Sequence, residues 1–475
     1  MTQPYDIVII GGGPGGYVAA LRAVQLGARV ALVEQERVGG TCLNRGCIPT
    51  KALVRGAEVY RLAKEAAEFG VLTGEVRLDF PRFMARKDQV VETLVSGVEQ
   101  LLESASVALY PGKGRIAEGT ADGWRVAVRG LDGSRQDVVG RKVVIATGSV
   151  PARVPIPGTD LLGVLTSREL LQLERQPRRL VVIGGSVVGL EFASIFGALG
   201  TQVSVVGRRT FLKDADPQLA KRFRPLLARQ GVKVTIGLTF RDVVQTGDGS
   251  LRVRYERRGK ECYVEGDVVL LSTGRWPYTE GVGVEDLGIA MSKRDIAVNE
   301  YLETSVPGVY AIGDCTGGLM LAHVASYEGE VAVENALNHG GRQRKVDYTV
   351  VPACIFTTPE IADVGLTEEQ AREQGIAYTV SMFPFTASGK ALAQGETAGQ
   401  VRLVCEEGAG KVLGLHIMGP HASDLIAEGA MAMRLGATAR DIAELIHAHP
   451  TLPEAVMEAG KEQLDGAIHY QRKRR

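Results

Sequence analysis

The stretch Tyr5–Glu34, YDIVIIGGGPGGYVAALRAVQLGARVALVE, decides the fold. DIVII reads as a short apolar strand and GGGPGG as a glycine turn. YVAALRAVQLG is a helix-period segment closing at Gly27, and ARVALVE is a second strand ending on Glu34. Strand, G-x-G-x-x-G (Gly11, Gly13, Gly16), helix and strand, with an acid in register, make a dinucleotide-binding unit. Gly11 serves the tight turn, Gly13 lets backbone approach a pyrophosphate, and Gly16 permits close helix–strand packing. The helix N-terminus offers unpaired N–H groups to phosphate, and Glu34 is placed to accept hydrogen bonds from a ribose diol. A lone G-x-G-x-x-G would say little; with these flanks it is specific.

The unit recurs. RRLVVIGGSVVGLEFASIFGALGTQVSVVG places Gly184, Ser186 and Gly189 where Gly11, Gly13 and Gly16 stand, with Gly200 for Gly27 and Gly207 for Glu34. A gapless repeat of this kind predicts an α/β chain with two Rossmann-like dinucleotide-binding domains. Each unit is closed by a strand running into a T-G turn, at Thr147-Gly148 and at Thr273-Gly274. The first unit takes a much longer path to its turn, so it carries an insertion.

The natural candidate is GGTCLNRGCIPTKALVRGAEVYRLAKEA, soon after Glu34, and it holds Cys42 and Cys47. Residues five apart in a regular helix face differently, whereas a disulfide needs Cα atoms about 4.4–6.8 Å apart. An irregular first turn is required; Gly46 makes it available, with helix expected from near Pro49. A helix N-terminus and the nearby Lys51 both favour a thiolate. A zinc half-site is disfavoured because no further Cys or His ligand follows at close spacing, so no metal is expected. Two unrelated buried thiols are the plainer alternative.

Composition narrows the class. At 475 residues the chain should form two to four domains. Lys+Arg and Asp+Glu both number 55, so neither nucleic acid nor an anionic membrane is an expected partner. No run reaches the ~18 apolar residues of a membrane span, and the apolar N-terminal run stops at Gly11, unlike a signal peptide. Cys262, Cys315, Cys354 and Cys405 are isolated and read as small buried hydrophobes, which fits a cytoplasmic setting.

GGTCLNRGCIPTK beside the first glycine motif resembles the class I pyridine nucleotide–disulfide oxidoreductases, over essentially the whole chain. That family includes dihydrolipoyl dehydrogenase, glutathione reductase and mercuric reductase. The resemblance implies that the first unit binds FAD and the second the nicotinamide nucleotide. It also implies that Cys47 faces the flavin while Cys42 is the interchange thiol meeting substrate. Lys51 and Glu191 match a family ion pair beside the flavin. VYAIGDC resembles the second FAD fingerprint, with Asp314 on the ribitol side; alone, Asp314 could be a turn residue.

From about Val351 the pattern turns α+β, with strands near IADVGL, VRLVCEE and KVLGLHIMG and helices at SDLIAEGAMAMRLG and ARDIAELIHA. HAHPTLPEAVMEAG follows. Thr451-Leu-Pro-Glu454 has capping-box form, and His447 and His449 could be ordinary packed histidines. The family carries His-Pro-Thr here, and His449 and Glu454 match its acid/base histidine and the glutamate that orients it. The chemistry needs such a base, because a dithiol must lose a proton before attacking a disulfide. In the family this motif reaches the other subunit's active site, which implies a homodimer with shared sites.

His-Ala-His-Pro-Thr-Leu-x-Glu and FPFTASGKALAQGET are most similar to the dihydrolipoyl dehydrogenase type. A mercuric-type C-terminal cysteine pair is missing, since the last cysteine is Cys405, and the tail HYQRKRR reads as a solvated, frayed end. One region departs from the pattern. NAD-using members typically have glutamate where Gly207 stands; here Gly207-Arg208-Arg209 removes the acid and adds two cations. Arginine beside a ribose 2′-phosphate marks NADP, and Ser186 adds a side chain near the pyrophosphate. Two solvated surface arginines are the plainer alternative. The cofactors implied are FAD with NAD or NADP, leaning to NADP.

The expected divisions are 1–150 for FAD and the redox insertion (closed at Thr147-Gly148), 151–276 for NAD(P) (closed at Thr273-Gly274), 277–347 completing the FAD site, and 348–475 for dimerisation. The expected activity is oxidation of dihydrolipoamide through Cys42 and Cys47 with NAD(P)+ as acceptor. Any carrier of dihydrolipoyl groups would be a separate chain. The alternatives are an NADPH-driven reductase of another disulfide or of mercuric ion, and a flavoprotein subunit with a mainly structural role.

Overall fold

The computed structural model describes residues 3–209, 211–338, 340–408 and 410–471. Strand β1 (Tyr5–Ile10) pairs in parallel on both sides, with β2 (Val30–Glu34) and with the second half of the strand Arg135–Ile145. A central parallel strand has no polar face, hence the unbroken run Ile7–Ile10. Beyond β2 the sheet continues to β3 (Ala108–Pro111), and Val309–Ala311 is the parallel neighbour of Arg135–Ile145. Between β1 and β2 lies α1 (Pro14–Gln25), opened by proline in its first turn. It is pressed onto the helix Ala322–Ala336: a Cβ on Gly329 would sit 2.6 Å from the Gly15 carbonyl oxygen. The helix following Gly313-Asp314 is thereby laid on the helix of the first glycine motif.

The repeat appears as a second, wholly parallel sheet, ordered Val232–Ile236, Gln202–Gly207, Arg179–Ile183, Val268–Leu271, Val164–Leu165. Its glycine-motif helix is Val187–Ala198. Here a single helix, Pro217–Arg229, joins Gly207 to the next strand. At the same point the first unit inserts α2 (Gly40–Arg45), α3 (Cys47–Glu65) and α4 (Phe80–Ser104) between β2 and β3. The extra chain therefore runs well past the segment singled out from sequence.

The C-terminal unit is a five-stranded antiparallel sheet, ordered Ala353–Ile355, Glu360–Gly365, Val412–Gly419, Gln400–Glu406, Tyr378–Pro384. Helices Ala422–Leu435, Ala439–Glu444 and Glu454–Glu462 pack on it. The sequence reading carried the second of these to Ala448, but it stops at Glu444, with Leu445 extended at φ −65°, ψ 129°. His449 precedes proline and is disfavoured from helical conformation, so the chain leaves the helix before it. The basic end of the tail, residues 472–475, lies outside the described residues.

The core does not respect the unit boundaries. Leu53 and Val54 of α3 share one apolar cluster with Leu190 and Phe192 of the second unit and with Ile355, Ile361 and Met418 of the C-terminal sheet. All three parts meet beside the cysteines. The architecture is α/β with a C-terminal α+β unit, and among the described residues no helix is long and apolar enough to cross a membrane.

Candidate active site

The chain is helical on both sides of Gly46, which breaks the helix at φ −141°, ψ −107°. A Cβ there would come 2.9 Å from the Thr41 carbonyl oxygen. Cys42 lies within α2 and Cys47 is the first residue of α3, two positions ahead of the expected start. Both are half-buried thiols. Each is the largest influence on the other's proton: Cys42 pulls the Cys47 thiol down to about 7, with the Lys51 ammonium helping against burial and Glu191, and Cys47 drives Cys42 upward. The balance favours the thiolate on Cys47.

Lys51 sits one turn into α3. Its Nζ is 3.0 Å from both carboxylate oxygens of Glu191 and 4.3 Å from the centre of the Phe356 ring. Glu191 is buried on the second glycine-motif helix and also accepts the Phe356 N–H at 3.0 Å. One carboxylate therefore ties together the cysteine helix, the second nucleotide unit and the C-terminal unit.

The two glycine turns are built alike. A Cβ on Gly11 (φ +109°) would run into the Ala146 carbonyl, and one on Gly184 (φ +124°) into the Ser272 carbonyl. At Gly13 the only neighbour of a Cβ would be Gly40 Cα, 3.9 Å away, so the turn is open there. Gly13 caps α1 with no side-chain bond, leaving the first helical N–H groups for a ligand. Glu34 accepts the Gly12 N–H at 2.6 Å and the Glu36 N–H at 2.7 Å, and burial pushes its carboxyl above the usual range. An open glycine turn, a free helix N-terminus and an acid at the next strand end fit a dinucleotide such as FAD. Gly16 and Gly189 lie in the first turns of their helices against Gly11 and Val182.

Ser186 behaves otherwise than expected. Its hydroxyl bonds Ser272, Oγ to Oγ at 2.8 Å and Oγ to O at 3.0 Å, and so turns back on the strand end instead of extending over the phosphate position. Arg208 and Arg209 follow the strand Gln202–Gly207, both exposed and without an ion pair among the described residues.

Asp314 accepts a very short hydrogen bond from Ser149 Oγ, which itself takes the Arg275 Nε–H at 2.7 Å. Ser149 and Arg275 are the residues just after Gly148 and Gly274, and sequence reading missed both although each adjoins a quoted T-G turn. Thr147 Oγ1 donates to the Tyr278 carbonyl at 2.6 Å. Glu328, also missed, is buried and accepts the Gly313 N–H and the Tyr348 hydroxyl, each at 2.6 Å. It holds the turn that presents Asp314.

His449 Nδ1 stands 2.8 Å from Glu454 Oε1, and the other carboxylate oxygen accepts the Thr451 N–H at 2.8 Å. Burial works against Glu454, but the Thr451 amide and His449 carry its carboxyl below the ordinary range. Glu454 is the first residue of its helix, and Thr451 gives its hydroxyl to the Ala448 carbonyl, so only half of a capping box forms. The His449 side chain is 78% exposed, whereas His447 is buried against Glu428 at 2.9 Å. The two histidines divide cleanly: His447 is packed, and His449 points outward with a carboxylate behind it.

Residues 5–329 match the family model described as pyridine nucleotide-disulphide oxidoreductase, and residues 351–460 match that family's dimerisation domain. The chain belongs to the pyridine nucleotide-disulphide oxidoreductases. Curated members similar to it include a dihydrolipoyl dehydrogenase of Bacillus subtilis, 41% identical, with 99% of this chain and 100% of that protein covered. A mitochondrial dihydrolipoyl dehydrogenase of Pisum sativum is 40% identical, covering 98% and 92%. A leghemoglobin reductase of Glycine max is also 40% identical, covering 97% and 88%. Among solved structures, LpdA from Mycobacterium tuberculosis superposes with a TM-score of 0.89 at 29% identity, covering 96% of this chain and 99% of that one. The HOCl-induced flavoprotein disulfide reductase RclA from Escherichia coli gives 0.86 at 29%, covering 96% and 99%. As a pyridine nucleotide-disulphide oxidoreductase the chain uses FAD with a pyridine nucleotide, and its dimerisation domain contains the His449–Glu454 pair.

Proposed function

We propose that this oxidoreductase is a dihydrolipoyl dehydrogenase acting through Cys42, Cys47, His449 and Glu454. The observation that carries the reading is the polarised pair Cys42–Cys47 across the Gly46 break, backed by full-length likeness to enzymes of that name. In the oxidised pair, His449 takes the proton of one substrate thiol and Glu454 balances the imidazolium. The thiolate attacks the Cys42 sulfur, the Cys42–Cys47 bond breaks, and Cys47 leaves as the stabilised thiolate. The second substrate thiol then attacks the mixed disulfide, releasing the cyclic disulfide and reduced Cys42. FAD, when bound, supplies the two-electron carrier between this dithiol and NAD(P)+. Gly11, Gly13, Gly16, Glu34, Thr147, Gly148 and Asp314 would hold it, with Lys51 and Glu191 beside its reactive end.

The second unit would hold the nicotinamide nucleotide at Gly184, Gly189 and Gly274, with Arg208 and Arg209 favouring a 2′-phosphate. The chain divides on this reading into 1–150, 151–276, 277–347 and 348–475. His449 serves the partner subunit's cysteines, the dihydrolipoyl group arrives on a separate carrier chain, and the setting is cytoplasmic.

Steady-state kcat/KM with dihydrolipoamide, glutathione disulfide and mercuric ion tests the substrate; a preference for either of the last two defeats the assignment. Cys47→Ser should abolish dithiol turnover while FAD stays bound, and retained turnover would contradict the relay.

A further inference from the structure

Asp363, His416 and Arg402 lie side by side on three neighbouring strands of the C-terminal sheet, Asp363 in register with His416 and His416 with Arg402. The row meets Asp216, the N-cap of the helix Pro217–Arg229 in the second nucleotide unit. His416 has no exposed surface; its Nδ1 is 2.7 Å from Asp363 Oδ1 and its Nε2 3.0 Å from the Leu366 carbonyl. A carboxylate and a carbonyl can only accept, so both ring nitrogens donate and the ring is an imidazolium. Arg402 places Nε 3.4 Å from Asp216 Oδ1, at ion-pair distance without hydrogen-bond alignment, and gives Nη2 to Glu368 Oε2 at 2.9 Å. Asp216, 1% exposed, accepts the Gln218 and Leu219 N–H groups at 2.9 Å, and its own N–H points to Asp363 Oδ1 at 3.3 Å.

Apolar side chains could join two domains at lower electrostatic cost. Replacing a buried ionic network with them is often neutral or stabilising, so the network points to a need for one fixed geometry. What it fixes is the end of the segment that starts at Arg208 and Arg209. That segment is pinned midway by buried Leu212, whose N–H donates to the Gly185 carbonyl of the second glycine turn at 3.0 Å. It ends on Asp216.

We propose that Arg402 and Asp363, held by His416, are positioning residues for nucleotide recognition: they clamp Asp216, and with it the segment that carries Arg208 and Arg209 to the nucleotide. The proposal rests on the reading of the Gly184–Gly189 unit as the nicotinamide nucleotide site, with Arg208 and Arg209 as its 2′-phosphate contacts.

The test compares Arg402→Met and Arg402→Lys with the parent enzyme as FAD-loaded dimers, measuring NADH and NADPH dissociation constants by equilibrium dialysis and KM for both substrates. Arg402→Met should weaken NADPH about ten-fold, leave the dithiol KM and kcat within about two-fold, and be largely rescued in Arg402→Lys. Unchanged nucleotide affinity in folded Arg402→Met overturns the proposal, and so does an equal rise in the dithiol KM, the sign of general loosening. Should Arg402→Met not fold, Asp363→Asn and His416→Gln decide by the same criteria. A parent enzyme that binds neither nucleotide, or binds NADH far more tightly than NADPH, would instead defeat the underlying reading of the second unit.

Discussion

Lys51 Nζ stands 3.0 Å from each carboxylate oxygen of Glu191, so a residue one turn beyond Cys47 is tied to the helix of the second glycine motif. The pair acts on Cys47 in opposite senses. The ammonium favours the thiolate and the carboxylate disfavours it.

Glu191→Gln should therefore lower the titration midpoint of Cys47 below about 7, and Lys51→Met should raise it above. The measurement is the pH dependence of iodoacetamide alkylation of the reduced enzyme, with Cys47 followed by peptide mass spectrometry. Lys51→Met alone also strands Glu191 as a buried unpaired charge and should cost about 3 kcal/mol of stability, recovered in part by adding Glu191→Gln. Shifts of the same sign in both single variants would remove the electrostatic account.

Glu454→Gln keeps a carbonyl for the Thr451 N–H but removes the charge behind His449. Turnover of the dithiol should fall about 10²-fold or more, with the nucleotide KM unchanged. Glu454→Ala should lose the same activity and about 1 kcal/mol of stability besides, as the Thr451 N–H goes unpaired. Equal activity in Glu454→Gln and the parent enzyme would reduce Glu454 to a helix-end acceptor.

Arg208→Ala with Arg209→Ala should lower kcat/KM for the phosphorylated nucleotide by about ten-fold or more and leave the unphosphorylated one within about two-fold. Stopped assays with NAD+ and NADP+ side by side are enough. A parent enzyme already strongly preferring NAD+ would mean that these two arginines only dress the surface.

His416 should make stability pH-dependent. Burial alone would lower its pKa, but Asp363, with Asp216 and the Leu366 carbonyl, raises it above that of a free imidazole. At pH values where the unfolded ring is still protonated, the contribution is whole. As pH climbs through the higher folded value the proton is lost, and the contribution with it. Thermal midpoints should fall on that rise in the parent enzyme and fall less in His416→Gln; parallel curves would contradict the assignment.

How much of this was legible depends on how local each signal is. The turns at Gly11 and Gly184 were readable because a positive φ and a carbonyl in the Cβ position leave only glycine, a constraint written at one residue. Cys42 and Cys47 were readable from spacing, though not that Cys47 itself opens α3. Lys51 was readable beside the cysteines, but its pairing with Glu191, far away in sequence, came from family likeness alone. Ser149 and Arg275 open two short strands paired with each other, Asp314 follows the strand Val309–Ala311 of the first sheet, and the only local mark of the serine and arginine is the T-G turn each follows. His416 was hidden for a related reason. Inside a strand that is buried almost throughout, it becomes an ion only through the register that sets it between Asp363 and Arg402.

The proposed service of His449 to the partner subunit's cysteines has a consequence for inheritance as well as chemistry. Two chains that are each inactive, one with Cys47→Ser and the other with His449→Gln, would regain function when expressed together. Each mixed pair carries one site with both parts intact, which makes about a quarter of all sites competent under random pairing. Alleles of this gene should thus complement one another across subunits, and damage to one copy need not be silent or dominant but can be repaired by a differently damaged partner.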